Sequence, residues 1–163
     1  MAGLTAACDG HKNSEGRVGD HYTVLATYVT GGVHWQLDAF RDANGSFCMG
    51  INGPKGPDAT ANIPWVNAAC GFDDSDSGGY YGGGDAPGKN AFVSYGPLPG
   101  KAVGVRVSTK EVVPTKPLPK GHDLPDGRYW IFYQPASWPG KGAKAVEPQP
   151  LDASGRKVAF KKF

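Results

Sequence analysis

Residues 21–52 read HYTVLATYVTGGVHWQLDAFRDANGSFCMGIN. Gly31-Gly32 and Ala43-Asn44-Gly45 divide this run into three β-rich segments. Gly-Gly and Asn-Gly pairs supply the positive-φ residues that tight hairpin turns need, so the stretch predicts a three-stranded antiparallel meander. In the middle segment Val33, Trp35, Leu37 and Ala39 fall on one side, and His34, Gln36 and Asp38 on the other. That alternation predicts a half-buried strand with one face on a core and the polar face outward.

The rest of the chain continues in the same style. Residues 1–20 are polar and without periodicity, which predicts a flexible lead-in. Residues 53–63 form a loop broken by Gly-Pro steps. The apolar segment 64–72 carries Trp65 and Val66, which are suited to plugging the core. Residues 73–90, DDSDSGGYYGGGDAPGKN, predict a long loop of Gly, Asp and Ser. Strands follow at 91–96 and 102–109, with Val103, Val105 and Val107 sharing a face. The proline-bearing run 110–126 predicts an extended crossing. The segment GRYWIFYQP (127–135) predicts a central strand covered on both faces. Segments 144–152 and 156–163 flank the turn Asp152-Ala153-Ser154-Gly155, and Pro148 and Pro150 push the first of them to an edge. About eight short strands with turn signals and no helical period predict an all-β domain over 21–163. The expected architecture is an antiparallel β-sandwich, or a partly open barrel as the alternative.

Composition narrows the function classes. The formal net charge of +2 gives no reason to expect nucleic acid as a partner. The terminal Lys157, Lys161 and Lys162 are better suited to guarding a sheet edge than to a binding patch. No apolar run is long enough to span a bilayer, so no transmembrane segment is expected. Leu4-Thr5-Ala6-Ala7 before Cys8 resembles the site that precedes a lipid-modified cysteine, with Leu4 one place too far upstream. Cys8 is thus either a lipid anchor or an incidental cysteine in a polar tail. Cys48 and Cys70 both lie near apolar residues, and there is no CxxC pair or His at ligand spacing to suggest zinc. They are expected to form a disulfide, which implies an oxidising compartment, the cell surface or the exterior; the alternative is two buried free thiols in a cytosolic protein.

Several pieces occur together: Tyr22 to Leu37, Ser46-Phe47-Cys48, Cys70-Gly71, Ser94-Tyr95-Gly96-Pro97-Leu98-Pro99, Val103 to Val107, Leu124-Pro125-Asp126-Gly127-Arg128-Tyr129, and Leu151 to Arg156. As a set they resemble poorly characterised extracytoplasmic β-sandwich domains of high-GC Gram-positive bacteria, found in secreted proteins, lipoproteins and membrane-tethered proteins. The resemblance covers residues 20–160. It implies an all-β domain, a paired Cys48 and Cys70, and an outside location. It carries over no catalytic residues.

Three constellations bear on chemistry. Counting from Asp74, Asp76 takes the third place and Asp85 the twelfth of a calcium-type loop, with Gly79 at the sixth. Its fifth place, Gly78, offers no side chain, and its last residue is not Glu. A looser calcium loop competes with a merely solvated acidic loop. Tyr80, Tyr81, Trp65 and Trp138, with nearby Asp and Asn, suit stacking on sugar rings, or on a protein partner. Alternatively these loop aromatics fold back as a lid on the sandwich end. His34 beside Asp38 suggests an oriented base, but no Gly-x-Ser-x-Gly or His-Glu-x-x-His motif accompanies it. The sequence therefore points to a non-catalytic binding or interaction module, secreted or at the cell surface. A carbohydrate-binding module, calcium-dependent or not, and a subunit that self-assembles through edge strands are the alternatives.

Overall fold

The computed structural model describes residues 22–42, 44–53, 65–72, 82–85 and 92–160. Among them the chain forms strands β1 (Tyr22–Thr30), β2 (Val33–Arg41), β3 (Phe47–Asn52), β4 (Trp65–Phe72), β5 (Gly82–Asp85), β6 (Phe92–Leu98), β7 (Gly104–Ser108), β8 (Val112–Pro114), β9 (Lys116–Pro117), β10 (Arg128–Gln134) and β11 (Ala145–Leu151). Three antiparallel sheets result, in the orders β1-β2-β3-β4, β5-β6-β10-β9 and β11-β7-β8. None closes into a barrel. The all-β sandwich is the architecture, and the barrel alternative is not.

The opening meander forms as its turns dictate. Gly31 and Gly32 adopt φ of 57° and 78°, which closes β1 on β2 with a two-residue turn. Asp42 builds the second turn. Its Oδ1 accepts from the amides of Asn44 and Ser46, both at 2.9 Å, while Gly45 takes φ 79°.

The second sheet is the middle layer, and β10 shows why. Its odd residues Tyr129, Ile131 and Tyr133 pack with Trp35, Leu37, Met49 and Ile51 of the first sheet. Its even residues Trp130 and Phe132 pack with Val105, Val107 and Val158 on the other side. A strand whose two faces are both apolar has to be covered twice, as the sequence predicts for 127–135. Thr115, between β8 and β9, marks where the chain changes sheets. Its hydroxyl donates to Ala102 O at 2.6 Å and accepts from Arg128 Nε at 2.7 Å.

Four expectations need correction. β2 is not half-buried: Trp35 through Phe40 are all buried, Gln36 and Asp38 included. The polar face of the meander is covered, so alternation did not mark an outward face there. Residues 73–90 are not wholly loop, because Gly82–Asp85 pairs with Phe92–Tyr95. Glycines have no side-chain pattern by which such a strand could be read. The crossing 110–126 contains two short strands, since the prolines at 114 and 117 occupy strand ends. Residues 156–160 form no strand. The turn at Asp152 closes, with Gly155 N donating to Asp152 O at 2.9 Å, but only the single bridge Leu151↔Lys157 follows it. β11 is an edge strand, as its prolines require, and its register shifts between Ala145 and Gln149.

Candidate functional site

Among the described residues the sheet order leaves β1 with one neighbour. A strand in that position keeps a row of N–H and C=O groups pointing away from the sheet. The two-residue turn makes Thr30↔Val33 the closing hydrogen-bonded pair. Alternation then turns the main-chain groups of Val29 and Thr27 outward. Beyond them a bulge between Val24 and Ala26 inserts one extra residue, and the carbonyl of Leu25 in that bulge accepts from the hydroxyl of Tyr129 at 3.0 Å. The middle layer thereby holds the edge strand in place.

The side chains of β1 leave that edge uncharged and partly apolar. Its sequence, YTVLATYVT, has no charge and no proline over 9 residues. Val24 is 43% exposed and Val29 59%, and both lie on the same face as Thr27. On the opposite face Tyr28 stacks on Trp35 with ring centroids 4.4 Å apart, and Trp35 Nε1 donates to Thr30 Oγ1 at 2.9 Å. Burial, and secondarily the nearby Tyr129 phenol, push the Tyr28 hydroxyl up to about 12. Burial raises that of Tyr129 as well. Both phenols stay neutral; Tyr28 serves as a packing group and Tyr129 as a hydrogen-bond donor.

The other outer strands are guarded. β11 carries Pro148 and Pro150, β8 ends in Pro114, and β9 is the dipeptide Lys116–Pro117. β5 has only 4 residues, and β4 lies against β5. Proline, lysine and shortness are the usual means of keeping edges from pairing; β1 has none of them, and neither has the 8-residue β4, which lies against β5 instead. A hollow of about 340 Å³ on the third sheet, lined by Val103, Gly104, Val112, Pro114, Leu151 and Asp152, is shallow and offers no converging polar groups.

Among the described residues, those singled out in the sequence are not brought together by the fold. Tyr80, Tyr81, Asp74, Asp76 and Cys8 lie outside the described residues. Trp65 is on β4, opposite Asn52, in the first sheet. Trp138 packs on the core between the second and third sheets, edge-on to Phe132 at 5.2 Å, and its Nε1 donates to Glu111 Oε1 at 3.0 Å. The two tryptophans therefore belong to opposite layers. Asp85 ends β5 opposite Phe92 rather than lying in a loop.

His34 and Asp38 are four residues apart on one strand, or roughly 13 Å at strand rise. Asp38 is buried and its Oδ1 accepts from Gln36 Nε2 at 2.8 Å, while His34 is exposed. They form no base pair of the kind the sequence suggested. Cys48 and Cys70 are joined, directly opposite each other on β3 and β4 with Cα atoms 4.1 Å apart. Asp42 brings a carboxylate within 4.8 Å of both sulfurs. Because the sulfurs are bonded to each other, this trio is not a set of metal ligands.

Comparison with family models, with curated proteins and with solved structures found no match. The β1 edge was missed in the sequence. Its signal was present in an uncharged, proline-free strand, but sheet order decides whether such a strand is central or outermost.

Proposed function

We propose that this chain is a non-catalytic, extracytoplasmic interaction module that binds by accepting an extended segment onto the outer edge of β1. The observation that carries the reading is the contrast between that edge and the other outer strands. β1 is long, uncharged and proline-free, with Val24 and Val29 exposed beside it. In strand addition the main chain supplies affinity and alternate side chains supply selectivity. The outward groups of Thr27 and Val29 suit the first role. The two exposed valines suit the second and select an uncharged, β-branched partner strand.

The Cys48–Cys70 disulfide supports an oxidising location outside the cytoplasm. Among the described residues no helix is long and apolar enough to cross a membrane. The sugar-binding reading is less well supported, since Trp138 is engaged by Phe132 and Glu111.

An uncharged, end-blocked peptide of alternating threonine and valine tests the proposal. Hydrogen exchange on the intact protein should show the amides of Thr27 and Val29 slowing on addition of the peptide, with β11 and β8 unaffected. Unchanged exchange along β1 at saturating peptide would overturn it.

A further inference from the structure

Resting on the strand-addition reading, we infer that the segment β1 accepts is β1 of a second copy of this chain, paired antiparallel about a two-fold axis. Two four-stranded sheets then join into one sheet of eight, four strands from each copy.

The argument is one of complementarity. A partner for this edge has to be extended, uncharged, free of proline and able to place apolar side chains against Val24 and Val29. β1 meets each of these conditions itself. An isologous contact places the same patch on both partners, so a patch has to be self-complementary to use it. A charged strand would oppose its own copy across the dyad, because like charges directly opposite are destabilising. β1 has no such charge. Antiparallel pairing also puts its two exposed valines on the same side of the joined sheet, flanking Thr27, so that the valines of one copy cover those of the other. The bulge at Val24/Ala26 lies near the middle of the strand. Tyr129 holds Leu25 from the layer behind, so the edge is fixed before a partner arrives and little ordering cost remains.

Sedimentation velocity over a concentration series tests this on the full chain. The wild type should pass from monomer to dimer as concentration rises. Thr27→Pro removes an outward amide without removing a bond to β2, and Val29→Lys places a charge at the edge, where it is solvated in the monomer. Each variant should weaken dimerisation at least about tenfold, equivalent to 1.4 kcal/mol, with an unchanged circular dichroism spectrum. If Thr27→Pro fails to fold, Val29→Lys carries the test alone. A wild type that stays monomeric at about 1 mM, or a folded Val29→Lys that dimerises as the wild type does, overturns the inference. Failure here is distinguishable from failure of the strand-addition reading. A monomeric protein whose Thr27 and Val29 amides are still protected by the threonine-valine peptide keeps the edge as a binding site and rules out a second copy as its occupant.

Discussion

The hydroxyl of Tyr129 donates to the carbonyl of Leu25 at 3.0 Å, joining residues 104 positions apart. Leu25 sits at the bulge of the edge strand, and Tyr129 is on the strand that runs through the middle layer. One hydrogen bond thus ties the outer strand of the first sheet to the middle layer.

Tyr129→Phe tests that tie. Loss of the bond, with the ring kept, should cost about 0.5–1.5 kcal/mol in denaturant unfolding, because a partly buried carbonyl loses its donor. Hydrogen exchange should quicken in β1 before it does in β3. Equal acceleration in both strands would show that the hydroxyl does not act locally on the edge.

Alkaline titration should separate the tyrosines. Tyr28 moves from its ordinary value of 10 to about 12, chiefly through burial. Because the folded state favours the neutral phenol, its contribution to stability is complete below pH 10 and is lost as pH rises through about 12. Ultraviolet titration should show a late ionisation that Tyr28→Phe removes. A Tyr28→Phe protein with the same late step would refute the assignment.

Reduction should weaken the first sheet. The Cys48–Cys70 bond closes a loop with a sequence separation of 22. The chain-entropy argument values such a closure at about 3 kcal/mol. A Cys48→Ser, Cys70→Ser double variant should lose that much in urea, with the larger fall in exchange protection on β3 and β4. Free-thiol titration of the unfolded wild type should find one reactive thiol, from Cys8.

Gly53 allows the end of β3 to approach β2. A Cβ there would lie 2.6 Å from Trp35 Cβ and 3.1 Å from His34 O. Gly53→Ala should cost about 1–3 kcal/mol by overpacking, read as a lowered urea midpoint at constant slope. It should also disturb the Tyr28–Trp35 stack, visible as changed tryptophan fluorescence.

Asp38→Ala should be among the costlier substitutions in the first sheet. It removes the acceptor of the buried Gln36 amide, at about 1–3 kcal/mol for the donor left unmet. Asp38→Asn, which keeps an acceptor oxygen, should recover part of that loss in the same unfolding assay.

What could be read in the sequence were features written into adjacent residues. Gly31-Gly32 and Asn44-Gly45 mark turns because left-handed backbone selects those residue types. Pro148 and Pro150 mark an edge because proline has no amide to donate, and GRYWIFYQP marks a doubly covered strand because both its faces are apolar. What could not be read depends on distant parts of the chain. Asp38 and Gln36 look like a solvent face, and only the fold shows them buried. β5 is glycine and aspartate, without any pattern to betray a strand. The openness of β1 follows from which strand lies at the end of the order, and that is a property of the whole sheet.

The two cores share a wall. Each odd residue of β10 belongs to one core and Trp130 and Phe132 to the other, with no thickness to spare between them. Such a molecule has no outer layer that can be shed while the rest stands, because stripping either flanking sheet lays bare one apolar face of the same strand. A load applied at the outermost strand, whether by a partner or by a neighbouring copy, is therefore borne by the entire stack. The chain should hold or give way as a single piece.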